Sequence, residues 1–198
     1  MTENNIKNIC KSYNIKGYTI NDDMSIDVDR SVFLNNKELN KLPLNFNKVD
    51  DDFYCEINHL TSLKGSPKYV GGNFSCYRNN LTSLLYAPKE INRGITCAFN
   101  NIEVIGNIPK CKGLNLYNNN VKTFQDLKNF RELFSVDDNP IEELWYLFQD
   151  KEYMEYFDEL DIIQENGEVI ILDRLNYFLT DIGKDEISKD YIKNYRVK

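Results

Sequence analysis

Cys55, Cys76 and Cys97 stand at equal intervals of 21 residues. Three thiols at a fixed interval could, once stacked, hold a soft metal ion or oxidise in pairs. The surrounding register argues for packing instead. With the residue two places before each cysteine as position zero, the zeros run Val32, Phe53, Phe74, Ile95, Leu114 and Phe134, and position +2 carries Leu34, the three cysteines, Leu116 and Val136. A place that accepts leucine and valine asks for a small or medium apolar group, and a buried free cysteine behaves as one. No metal and no other cofactor is expected. Cys10 and Cys111 fall outside the ladder, and five cysteines, an odd count, do not make the disulfide framework of a small secreted protein.

Other chemistry is sparse. The single histidine, His59, falls at position +6, next to a turn, and one histidine cannot build an HExxH zinc site. The chain has no CxxC, GxSxG, GxGxxG or phosphate-binding loop. Asp50, Asp51 and Asp52, and again Asp137 and Asp138, lack the ligand spacing of a calcium loop and read as solvated bends. A catalytic site needs several groups of different role that converge, so the chain is expected not to be an enzyme.

The elements that carry these residues follow from the same register. Position +5 is Asn58, Asn79, Asn100, Asn119 and Asn139, with Lys37 in the first turn. Position +7 is Leu39, Leu60, Leu81, Ile102, Val121 and Ile141. Position +10 is Leu42, Leu63, Leu84, Ile105, Phe124 and Leu144. The pattern LxLxxNxLxxL with a period of about 20 residues is that of leucine-rich repeats, in which each turn contributes one short strand and neighbours bury a common core. The predicted fold is an α/β repeat solenoid with a parallel β ladder on its concave face. Residues 1–30 form a small N-terminal cap, 31–144 about six repeats, and 145–198 a mainly helical C-terminal cap. The inward asparagines should bond the backbone of their own and neighbouring turns. Pro67, Pro88 and Pro109, at +14, favour an extended return on the outer side.

In the N-terminal cap, residues 3–13 should be a helix, and Tyr18–Ile20 and Ile26–Val28 two strands joined at Asn21–Asp23. Beyond Pro140 the apolar period changes to that of helices: Ile141, Leu144, Trp145 and Phe148, then Tyr153, Phe157 and Leu160, then Ile171, Leu175, Phe178, Leu179 and Ile182 up to Gly183. Val169–Leu172 also reads as a strand, and Ile187, Tyr191 and Tyr195 could line a last helix.

Several segments resemble a family of leucine-rich-repeat proteins of tailed bacteriophages: Tyr18-Thr-Ile-Asn, Ser25-Ile-Asp-Val-Asp29, Leu42-Pro-Leu44, Leu60-Thr-Ser-Leu-Lys-Gly65, Val70-Gly-Gly72, Phe74-Ser-Cys76 and Leu81-Thr-Ser-Leu84. The resemblance covers residues 17–90 and loosens after Ile95. It implies a solenoid, a phage origin and expression inside a bacterial host, and no enzymatic site. The repeats also resemble those of bacterial ubiquitin-ligase effectors, whose catalytic cysteine lies in a helical domain after the repeats. Residues 140–198 contain no cysteine, which argues against that activity.

The net charge of −7 comes from the C-terminal region, since residues 140–198 hold 15 acidic and 7 basic groups. Neither half has the basic field that nucleic-acid binding requires, so no nucleic-acid partner is expected. No run approaches the roughly 20 apolar residues of a membrane span, and the N-terminus lacks a signal-peptide apolar stretch. The protein is expected in the cytoplasm, that of a bacterial host if phage-encoded.

In a strand alternate residues leave the core, so positions +1 and +3 should face outward on the ladder. They read Phe33 and Asn35, Tyr54 and Glu56, Ser75 and Tyr77, Thr96 and Ala98, Asn115 and Tyr117, Ser135 and Asp137, with Arg78 and Phe99 following at +4. Exposed aromatics make effective interface anchors, although rings on adjacent turns also stabilise strands by stacking. The predicted partner-binding surface is Phe33, Tyr54, Glu56, Tyr77, Arg78, Thr96, Phe99, Asn115 and Tyr117, and the predicted partner is a host or phage protein. A structural role in a virion or a homomeric assembly is the alternative, with a monomer favoured.

Overall fold

The computed structural model describes residues 1–106, 108–127, 130 and 133–198. Its body is a β-solenoid with two parallel ladders. The face sheet has six strands, in the order Leu133–Ser135, Gly113–Asn115, Gly94–Thr96, Phe74–Ser75, Phe53–Tyr54 and Val32–Phe33. Its register pairs zero with zero, so that Phe53 faces Phe74, Phe74 faces Ile95 and Ile95 faces Leu114. The repeat read from the cysteine spacing is therefore the register of the sheet.

Each strand is short because the chain leaves it through the same bend. At +4 stand Asn36, Ile57, Arg78, Phe99, Asn118 and Asp138, with φ of 52°, 51°, 55°, 57°, 52° and 54°. That left-handed kink swings the +5 asparagine inward, where the backbone satisfies it. Asn58 donates from Nδ2 to the carbonyls of Leu34, Cys55 and Glu56 at 2.9, 3.1 and 3.0 Å, and its Oδ1 accepts the Lys37 and Leu39 N–H groups, both at 3.0 Å. Asn79, Asn100, Asn119 and Asn139 each donate to the preceding turn and accept from it in the same way.

The returns are extended, as the prolines predict, and they also pair. Phe46–Val49, Tyr69–Val70 and Glu90–Ile91 continue a second sheet that starts with the antiparallel pair Tyr18–Ile20 and Ile26–Val28. Pro67 and Pro88 lie buried two residues before their return strands, with φ already fixed for extended chain. Phe46, Val49, Val70 and Ile91 point into the core between the sheets, where Phe53 and Phe74 stack with centroids 5.6 Å apart.

At the N-terminal end helix α1 (Glu3–Ser12) covers the first turn with Ile6 and Cys10, and the Thr2 hydroxyl caps it by accepting the Asn5 N–H at 3.3 Å. At the other end α2 (Glu142–Phe148), α3 (Tyr153–Glu159) and α4 (Leu172–Asp181) gather around Phe124, Phe148, Phe157 and Phe178, whose rings meet mostly edge to face. Helix α2 spans the boundary expected at residue 145. The C-terminal cap also contains a sheet of Ile163–Gln164, Val169–Ile170 and Arg196–Val197.

The last predicted helix is not formed. Lys189–Tyr191 is a single 3₁₀ turn, Tyr191 is exposed, and the chain then extends to pair with Val169–Ile170. Asp181–Lys193 is too polar to bury a helical face, whereas Ile192 and Tyr195 each find a pocket in the cap already built. Among the described residues no helix is long and apolar enough to cross a membrane.

Candidate functional site

The cysteines lie inside. Cys55, Cys76 and Cys97 are fully buried between the sheets, and the Cys55 thiol donates to the Ser75 carbonyl at 3.4 Å. Burial, and then the neighbouring Cys76, push the thiols of Cys55 and Cys97 well above their ordinary value, which keeps them protonated and unreactive. His59 is exposed at a turn, where its N–H donates to the Leu39 carbonyl.

The outer side of the face sheet is different. Strand alternation brings Tyr54, Glu56, Tyr77, Thr96 and Asn115 to one recess of about 650 Å³. Its remaining polar lining is Asn73, Ser75 and Ser135, and Gly94 and Gly113 leave backbone bare on its floor. Those glycines occupy position −1, which has the same parity as +1 and so also faces out. A reading confined to +1 and +3 overlooks Asn73, Gly94 and Gly113. Phe134 also lines the recess, although it stands at zero. In the last strand of the sheet its ring is only half-buried, and it leans on Trp145 with centroids 5.1 Å apart.

Phe33, Arg78, Phe99 and Tyr117 lie outside this recess. Phe33, 59% exposed, stacks on Tyr54 at 5.6 Å. Phe99 bridges Tyr77 and Tyr117 at 5.3 and 5.2 Å. The aromatics thus form two groups beside the recess, one stacked and one meeting edge-on and tilted, and ring contact and exposure coexist. Arg78 and Phe99 leave the sheet through the left-handed bend and are exposed beside it. Ser75 and Ala98, expected outward, are only 4% and 3% exposed. Their short side chains sit between larger neighbours of adjacent turns, Tyr54 and Thr96 for Ser75.

Polar groups tie one turn to the next along the face. Ser31 Oγ accepts the Asp52 N–H at 3.4 Å, Asp52 Oδ1 accepts the Asn73 N–H at 2.7 Å, and Asn73 Oδ1 accepts the Gly94 N–H at 3.3 Å. Asn35 and Glu56 exchange two bonds, Asn35 Nδ2 to Glu56 Oε2 at 3.2 Å and the Glu56 N–H to Asn35 Oδ1 at 3.1 Å. These bonds tie the lining residues Asn73 and Glu56 to the neighbouring turns. The Tyr54 phenol is raised above its usual value by burial and then by the charge of Asp52, and the Tyr117 phenol by its hydrogen bond to Asp138.

No family model, curated protein or solved structure matches the chain.

The geometry therefore has to speak for itself. The recess is shallow and built on paired strands, and aromatic rings stand at both ends. Among the described residues no lysine, arginine, histidine or cysteine lines it. Such a surface offers hydrogen bonds, ring faces and open backbone, which are means of holding a ligand in place. Among the described residues no group of three or more His, Cys, Asp or Glu side chains is placed to hold a metal ion.

Proposed function

We propose that this chain is a leucine-rich-repeat binding module of phage origin, which acts in the cytoplasm of a bacterial host by holding a host or phage protein against its face sheet. The observation that carries the reading is the recess between Tyr54, Tyr77 and Phe134, floored by Gly94 and Gly113. Gly94 and Gly113 open their strands, and glycine in a strand often marks a place where a ligand or another backbone comes close. A Cβ at Gly94 would meet only the Gly113 carbonyl oxygen, at 3.4 Å, so local packing tolerates a side chain that the sequence nevertheless omits. The flanking tyrosines supply contact area at low entropic cost, as interface anchors do. The role is non-enzymatic, with capture or inhibition of the partner as its purpose.

Affinity purification from bacteria that express the tagged chain tests this, with two variants beside the wild type. Gly94→Leu fills the floor, and Tyr54→Ala with Tyr77→Ala and Tyr117→Ala strips the rings. A protein captured by the wild type and lost by both variants is the expected result. A protein retained by both would refute the assignment.

A further inference from the structure

The charge around the recess says what kind of segment belongs in it. Positions −1, +1 and +3 along the face sheet carry three carboxylates, Asp52, Glu56 and Asp137, and no lysine or arginine. Glu56 lines the recess at one end, Asp52 holds its lining residue Asn73, and Asp137 holds its lining residue Ser135 at 2.7 Å. All three accept hydrogen bonds from neutral groups: Asn35 on Glu56, Asn73 on Asp52, and Ser135 and Tyr146 on Asp137. Among the described residues none of the three has a cationic partner. Arg78, Arg93 and Lys112, which flank the face strands at +4 and −2, are exposed and are not among the residues that line the recess.

A second feature agrees. The ring of Phe134 already holds a cation, for Lys151 Nζ lies 5.1 Å from its centroid. Tyrosine faces attract ammonium and guanidinium groups in the same manner, more strongly where water is partly excluded. Carboxylates that lack cations, placed among ring faces, complement a positive side chain and repel an anionic one.

From this we infer that the recess receives a basic segment of a protein, an extended stretch that runs across the strands, with one arginine or lysine between Tyr54 and Tyr77 paired with Glu56 and another at the far end beside Phe134 paired with Asp137. The inference rests on the binding role proposed above and adds the chemistry of the partner. Arginine fits best, since its planar head can stack on a ring and bond a carboxylate at once.

A displayed library of random dodecapeptides, selected on the full wild-type chain and counter-selected on Gly94→Leu, tests the charge apart from the recess. The expected winners need an open recess and are enriched in arginine or lysine. Replacing that arginine by its neutral isostere citrulline should weaken binding about 10-fold, and Glu56→Gln with Asp137→Asn should do the same without lowering the thermal midpoint. Recess-dependent peptides that are neutral or acidic would overturn the basic partner and leave the binding face standing. A library that yields no recess-dependent peptide would overturn both.

Discussion

Asn79 Nδ2 donates to the Cys55 carbonyl, one turn back, at 3.0 Å, and the same amide group reaches the Cys76 carbonyl of its own turn, also at 3.0 Å. Its Oδ1 accepts the Leu60 N–H at 3.0 Å. One buried side chain thus satisfies backbone groups of two turns that no strand ladder reaches. Asn79→Ala should cost about 1–3 kcal/mol, and Asn79→Asp more than the alanine, since a carboxylate keeps the acceptor and loses the donors while burying charge. Urea unfolding followed by circular dichroism measures both, and an alanine variant as stable as wild type would contradict the structural role.

Alkaline pH should find the cysteine ladder. The folded-state values of Cys55 and Cys97 are raised well above the ordinary 9.0, so between that value and the folded one the unfolded chain releases protons that the folded chain keeps. Stability is then fully present below about pH 9 and falls as pH rises, by up to about 1.4 kcal/mol per pH unit for each thiol. Melting curves between pH 7 and about 10.5 should show the decline. Cys55→Ala with Cys97→Ala should flatten it at the cost of a lower plateau, because the missing sulfur atoms leave small cavities.

Ile57 is the worst-placed residue of the repeat. It is 46% exposed and holds φ of 51°, where a β-branched side chain crowds its own backbone. Asparagine already fills the same place at Asn36 and Asn118. Ile57→Asn should raise the unfolding free energy by about 1 kcal/mol, and Ile57→Gly by somewhat less because of its chain entropy. A variant that melts lower would mean that Ile57 makes packing contacts worth more than the strain.

Tyr195 fastens the last segment to the solenoid. Its ring is 8% exposed, and its hydroxyl donates to the Lys122 carbonyl at 2.9 Å. Nearby, the Glu143 carboxylate accepts the N–H groups of Lys193 and Asn194 at 3.1 and 3.0 Å. Tyr195→Phe should cost about 1 kcal/mol for the missing bond, and Tyr195→Ala about 3–5 kcal/mol for the missing ring. Hydrogen exchange should show residues 192–198 opening first in the alanine variant.

What was legible in the sequence was what repeats in type. The zero, +2, +7 and +10 positions draw on apolar residues and +5 on asparagine in all turns but the first, and the zeros pair with one another across the face sheet. The bend at +4 repeats in shape alone: asparagine, isoleucine, arginine, phenylalanine and aspartate share one backbone conformation there, so no pattern of types announces it. The pairing of the returns into a second ladder was passed over, although its buried Val49, Val70 and Ile91 also recur every 21 residues, because proline at +14 was read only as a sign of extended chain. The flanking aromatics were legible from parity, but Gly94 and Gly113 were passed over because they carry no side chain to notice. Tyr195 was assigned to a helix by its spacing from Ile187 and Tyr191, and only the folded cap reveals that its anchor is Lys122.

The two ladders also set the order in which this chain can fold. Nearly every bond between turns joins residues 17 to 24 positions apart, whether Asn58 to Leu34, Asn79 to Leu60 or Asn139 to Val121. A new strand therefore finds its template as soon as one more repeat has left the ribosome, and the growing end always has somewhere to dock. Folding can keep pace with synthesis, with little apolar surface left waiting. The bonds that fasten the C-terminal cap are the exception, above all that of Tyr195, which must reach Lys122 across 73 positions and can do so only after the body beneath it is built.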